Sequence, residues 1–446
     1  MIKMAIIFDI YKSELKWALL GICLVMSLLP YSVLYGSSSY FLIAITAYIL
    51  WMALSNKKGF SFVLISLCLC YPASFMKGVE TGGQFEVLEK GLFIIPVLIL
   101  IVLMFLKRFN MNFKIPIIYS FVYLLLTLMH GDNILEALFK ITGTHIAFCI
   151  GCYEGLSRKQ MFSLFSIAFA FVAIYAGCEY YLNLCPYEPI YMSSYGFELW
   201  EKRAMGLMGN PLLLCSVTMI YQAAIFIDAI EQGKLNYIAE CMCLFVALIV
   251  TSRTSVYVLA ILFLLYVFLK KSNFSPSTVF KFVVVSIILY FVVITYFDNV
   301  ISLLVERFST GDQTHRQSSY WTALNVMAEH PFGLGHKDFG VKILPYVANG
   351  FEYGLVTLDN FISTQFACYG LFGVVMILFY LTYNIRLHNE SRPQGIVRYS
   401  NILYAAVFLL MGLSFDIEAY FHVTMIYFIL VGYIYSNNST ENYIYD

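Results

Sequence analysis

The chain has 446 residues, 61% hydrophobic and only 12% charged, where a soluble domain is roughly half apolar and a quarter charged. Its mean hydropathy of +0.78 implies more apolar surface than one water-soluble globule hides. Basic and acidic residues balance at 27 each, so neither a nucleic-acid surface nor an acidic binding arm is expected. The eleven cysteines are scattered, mostly in apolar runs, and read as small apolar residues rather than as a disulfide frame or a metal site. No small-residue cleavage site follows the first apolar run, so no cleavable signal peptide is expected.

A helix needs roughly 20 apolar residues to cross the hydrocarbon layer, within a range of about 17 to 25. Candidate spans fall at 16–34, 40–55, 60–76, 91–106, 115–130, 136–153, 161–182, 206–230, 235–252, 254–271, 279–297, 359–384, 400–415 and 420–436. Two pairs, 40–55 with 60–76 and 400–415 with 420–436, are short, which leaves twelve to fourteen crossings. The expected fold is all-α, a polytopic transmembrane helix bundle. Lys and Arg concentrate in short loops on the side of the N-terminus, as at Lys57-Lys58, Lys107-Arg108, Arg158-Lys159 and Lys270-Lys271. Positive charge favours the cytoplasmic face, so both termini are expected inside and the segments 183–205 and 298–358 outside. Three regions follow: an N-terminal transmembrane bundle of about eleven spans over 1–297, one large outer loop over 298–358, and C-terminal spans with a cytoplasmic tail over 359–446.

The long loop is no linker, since it lacks Gly/Ser tracts and carries aromatics throughout. Ser318-Ser319 is an N-cap candidate ahead of Trp321, Leu324, Met327 and Ala328 at helical spacing. Pro331, Gly333 and Gly335 end that stretch. The spacing predicts an amphipathic helix over the membrane face, then a tight turn.

Charge within a span costs about 2.5 to 3.5 kcal/mol near the centre, so such residues usually face a cavity or a partner. Arg253 interrupts an apolar run from Cys241 to Leu269 within Thr-Ser-Arg-Thr-Ser; it is either a snorkelling arginine at a hairpin or a ligand-binding one. Arg203 opens Arg-Ala-Met-Gly-Leu-Met-Gly-Asn-Pro, where Asn210-Pro211 suits a helix start. Arg307 and Arg316, with His315, lie in the long loop. All four arginines fall on the outer side, and a guanidinium fork suits phosphate. Asp359 opens a span directly after the loop and reads either as a helix cap or as a general base toward a sugar hydroxyl. Asp416 and Glu418 read as loop residues. No Walker motif, dinucleotide fingerprint, HExxH or GxSxG is present. His315, His330 and His336 are too irregularly spaced for a metal site, so neither metal nor cofactor is expected.

Four blocks in order resemble the O-antigen ligase/polymerase superfamily. They are Arg203-x-x-Gly206-x-x-x-Asn210-Pro211; Thr251-Ser252-Arg253; Arg316 and Trp321 with Glu329-His330-Pro331-Phe332-Gly333-Leu334-Gly335; and Asp359-Asn360 followed after nine residues by Gly370-x-x-Gly373. They cover residues 203 to 373, while the N-terminal 200 residues are similar only in being hydrophobic. The resemblance implies a GT-C-like membrane glycosyltransferase of the bacterial inner membrane, with its large loop in the periplasm. The ligases resemble the fourth block but carry His-Asn, usually with Thr-Thr after the second glycine. Asp359 and Val374-Val375 here fit the Wzy-type polymerase branch, which tolerates an acid at that position; His336 does not match the missing histidine by its place in the turn.

A polymerase would join undecaprenyl-pyrophosphate-linked oligosaccharide repeats without a nucleotide sugar. Arg203, Arg253, Arg307 and Arg316 would bind pyrophosphate, and Asp359 with Arg253 would serve the chemistry. Asn210, Asn360, His315 and His336 would support them. Partners implied are the lipid-linked oligosaccharide, membrane lipid, a chain-length regulator and a flippase. The alternatives are an O-antigen ligase and, in a different class, a polysaccharide flippase or transporter, although no internal repeat of the transporter kind is visible.

Overall fold

The computed structural model describes residues 15–72, 84–106, 114–187, 203–250, 253–269, 314–347, 358, 360–386, 395–414 and 420–440. Among these residues the fold is helical, with no strand. In chain order come α1 (Lys16–Leu34), α2 (Ser38–Leu54), α3 (Phe60–Leu69), α4 (Gln84–Phe105), α5 (Lys114–His130) and α6 (Ile134–Ile141). A π-helical turn, Thr142–Ile146, joins α6 to α7 (Ala147–Cys152). There follow α8 (Arg158–Leu182), α9 (Pro211–Gln232), α10 (Tyr237–Val250), α11 (Arg253–Leu269), α12 (Thr314–Glu329), the short α13 (Phe339–Lys342), α14 (Phe361–Tyr369), α15 (Leu371–Arg386), α16 (Gly395–Ser414) and α17 (Phe421–Thr440).

Every expected span except 279–297, which lies outside the described residues, has helix at its position. Among the described residues five continuous helical stretches are long and apolar enough to cross a membrane: α1, most of α4, the α6–π–α7 run, α8 and α9. Shorter apolar helices are α2, α3, most of α5, α10, and parts of α11, α16 and α17. The molecule is a polytopic helical membrane protein. Its caps follow local chemistry. Ser157 and Gln160 form a reciprocal capping box at α8, and Asn210 with Pro211 starts α9.

Two helices form the middle of the bundle. Most of α9 is buried, packed by α8, α10, α11 and α16. The described part of α17, Phe421 to Ile434, is buried on every side, between α3 and α7. Close approach of α17 and α7 depends on glycine. A Cβ at Gly432 would lie 2.1 Å from the Phe148 carbonyl oxygen, and one at Gly151 2.0 Å from that of Ile429. Within lipid, where apolar side chains gain little by leaving their surroundings, such backbone approach is a main source of helix association.

Several local expectations change. The span expected over 359–384 is two helices, broken at Gly370 with φ +55. The helix of the long loop begins at Thr314, so Ser318-Ser319 lie inside it and cap nothing. Its packed face is Ser319, Thr322, Ala323 and Val326 against α14, while Trp321 and Leu324 point outward. Small side chains let α12 approach α14 closely, and the apolar stripe is left on the outer face. Cys149 and Cys152 form a CxxC spacing, and both are free thiols buried on α7.

Candidate functional site

The turn after α12 is fixed by backbone. Leu334 N–H donates to Ala367 O (2.9 Å), Gly335 N–H to Cys368 O (3.0 Å), and Leu371 N–H to Pro331 O (2.8 Å). Each such bond contributes about 1 kcal/mol. Side chains are excluded here: a Cβ at Gly333 would lie 2.3 Å from the Cys368 carbonyl carbon, and one at Gly370 2.1 Å from Pro331 O. Gly333, Gly335 and Gly370 all have positive φ. The Pro-x-Gly-x-Gly turn and the α14–α15 break are thus two halves of one joint.

The turn ends on Asp132, in the α5–α6 connection. Its carboxylate accepts from His336 N–H (2.9 and 3.0 Å to the two oxygens) and from Lys337 N–H (2.7 Å). The His336 ring then lies between Lys140 and α14. Lys140 Nζ is 3.0 Å from Nε2, Cys368 Sγ is 3.6 Å from Nδ1, and Tyr369 packs edge-on at 5.3 Å. An ammonium only donates, so Nε2 accepts and Nδ1 carries the proton. Burial, with the Lys140 and His130 charges, holds the imidazole well below its ordinary pKa. Nearby, His330 Nε2 pairs with the Tyr346 hydroxyl (2.6 Å), and Lys342 donates to Leu334 O (2.9 Å).

A second turn, Arg203 to Gly206, is also held by a carboxylate. Glu179, near the end of α8, accepts from Met205 N–H (3.1 Å) and Gly206 N–H (2.5 Å). Ala204 N–H donates to Ile249 O (3.0 Å), which ties the Arg203 turn to the last turn of α10, close in sequence to Arg253. Arg203 itself is half-buried.

An aromatic group connects the two turns. Cys185 Sγ meets Gly206 O (3.8 Å), and the Tyr187 hydroxyl donates to Cys70 O (3.1 Å). Tyr71 packs on His422 (4.9 Å) and Phe421 (6.0 Å), and Phe421 on Phe139 (5.3 Å), next to Lys140. Both turns therefore lie at one end of the bundle. At the other end Glu154 accepts from Gly59 N–H (2.6 Å) and Ser61 N–H (3.0 Å) at the start of α3.

The residues singled out by sequence divide accordingly. Arg203 and His336 are placed with their surroundings. Asn210 and Asn360 are helix caps, accepting from Leu212 N–H (2.7 Å) and Ser363 N–H (2.8 Å). Arg253 opens α11, and His315 with Arg316 lies in the first turn of α12; their side chains are outside what is described. Asp359 and Arg307 lie outside the described residues. Sequence reasoning missed Asp132, Lys140 and Glu179. The signal was available for two of them, since Lys140 and Glu179 are charges inside expected spans. Among the described residues no three His, Cys, Asp or Glu side chains are grouped to hold a metal ion.

Residues 240–378 match the Wzy_C family model, described as O-antigen ligase. The match runs from α10 to α15 and includes both halves of the glycine joint. It is consistent with a member of the O-antigen polymerase/ligase superfamily. Members of that family are membrane enzymes of polysaccharide and lipopolysaccharide assembly. No curated protein matches the chain.

Proposed function

We propose that the protein is an O-antigen polymerase, a membrane glycosyltransferase that joins undecaprenyl-pyrophosphate-linked oligosaccharide repeats at the periplasmic face of the inner membrane. The observation that carries the reading is the family match over 240–378 with Asp359 at the position where the ligases it resembles hold a histidine. Two basic turns at one end of the bundle support it, because the growing chain and the incoming repeat each carry a pyrophosphate.

The donor is the growing chain on its lipid carrier. The acceptor hydroxyl attacks the donor's anomeric carbon, the new glycosidic bond forms, and the bond to pyrophosphate breaks with its electrons on the leaving oxygen. Arg203, Arg253, Arg307 and Arg316 bind that pyrophosphate and stabilise the charge it gains. Asp359 orients the acceptor hydroxyl and takes its proton. His336, neutral and engaged at both ring nitrogens, holds the joint rather than the proton. A chain-length regulator and a flippase act beside the enzyme in this reading.

A lipopolysaccharide gel on the deletion strain tests it. The expected result is collapse of a ladder to a single-repeat band, restored by wild type and not by Asp359→Ala. Complete loss of O-antigen, with polymer accumulating on the lipid carrier, would instead identify a ligase. Near absence of repeats outside the membrane would identify a flippase.

A further inference from the structure

His422 opens α17 and is 1% exposed, yet neither ring nitrogen has a hydrogen-bond partner. His330 and His336, by contrast, are paired through their rings. A buried imidazole with both nitrogens unmet is costly, and such a group in a native structure calls for a partner. The walls around it are rings: Tyr71 at 4.9 Å, Phe421 at 6.0 Å and Tyr420 at 6.3 Å, all near edge-on.

A neutral imidazole offers one donor and one acceptor. A sugar ring offers hydroxyls that do both, and C–H faces that pack on aromatic rings. Position adds a second argument. Tyr71 and Phe421 are links in the contact path from the Arg203 turn to Lys140 and His336. If pyrophosphates sit at the basic turns, the sugars they carry occupy the space between.

We infer that His422, with Tyr71 and Tyr420, is a sugar-binding subsite for a ring of the lipid-linked repeat; this rests on the polysaccharide reading above. The imidazole pairs with ring hydroxyls, and the tyrosines shift to pack on the ring faces. His422 is thereby a specificity-determining residue, since a site that leaves its polar atoms dry without the right hydroxyl discriminates strongly against sugars lacking it.

The test uses the full chain purified in detergent. One probe is the intact lipid-linked repeat from the producing strain. The other is the oligosaccharide released from it by mild acid. Wild type is expected to bind both. His422→Phe should weaken oligosaccharide binding on the order of tenfold to a hundredfold, and His422→Gln, which keeps a donor and an acceptor, should recover part of it. Equal oligosaccharide affinity for wild type and His422→Phe overturns the subsite, leaving a dry or water-filled histidine. So does a wild type that binds the lipid-linked repeat but not the free oligosaccharide. A wild type that binds neither overturns the polysaccharide reading and the subsite with it. If His422→Phe does not fold, Tyr420→Ala at a partly exposed position carries the same prediction, and an unchanged dissociation constant overturns it.

Discussion

A carboxylate at each turn does the same job at this end of the bundle: Asp132 gathers the N–H groups of His336 and Lys337, and Glu179 those of Met205 and Gly206. In both cases the carboxylate fixes the backbone of the turn that carries the basic residue. The His336 ring is held neutral, which gives a pH signature. Its folded pKa lies well below the ordinary 6.5, so in acid the unfolded chain binds the proton first. The stability it contributes is complete above about pH 6.5 and is lost as pH falls through the depressed value. Melting curves in detergent should therefore show a fall in melting temperature between about pH 6.5 and 5 that is shallower in His336→Gln; equal slopes would refute the assignment. Arg253 was legible in the sequence because a charge in an apolar run is expensive. The pairing of Asp132 with His336 was not, because the partners are 204 residues apart and nothing in local spacing encodes a contact made by folding. Asn210 and Asn360 were legible as neighbours of a site, but they turn out to serve their own helices.

Glycine decides how the helices meet. Gly151 and Gly432 let α7 and α17 approach to backbone contact, and Gly333 with Gly370 does the same for the outer turn. Gly432→Leu should cost about 1–3 kcal/mol or more through overpacking, read as loss of the monodisperse peak in fluorescence-detected size exclusion, whereas Leu413→Ala on an exposed face of α16 should leave the peak intact. The Pro331–Gly335 turn and the Gly370 break, far apart in sequence, are each half of one contact. The positions of helices were legible because apolar length is a strong signal. The break at Gly370 was not, because the apolar run continues through it and only the docking of Pro331 gives the turn its partner. Ser318-Ser319 looked like a cap because hydroxyls favour helix starts; here Ser319 serves as a small residue at the α12–α14 contact.

Among the described residues the contacts group these connections in two sets, one with Asp132, Arg203 and His336, the other with Gly59 and Glu154. The Lys and Arg bias would put the first set outside and the second in the cytoplasm. Alkaline phosphatase fused after Asp338 should accordingly be active and green fluorescent protein fused after Thr440 should fluoresce in intact cells, and the reverse pattern would invert the topology. Substrate identity was not legible at any level, because sugar specificity depends on surfaces assembled from distant spans.

The buried position of α17 has a consequence for how the protein is made. It leaves the ribosome after every other described helix, yet it fills the middle of the bundle between α3 and α7. The earlier helices, α9 in the middle among them, enter the bilayer first, and the packing of α3 and α7 on α17 comes last. A ribosome that stops before Phe421 therefore leaves the facing sides of α3 and α7 uncovered rather than a slightly shortened bundle.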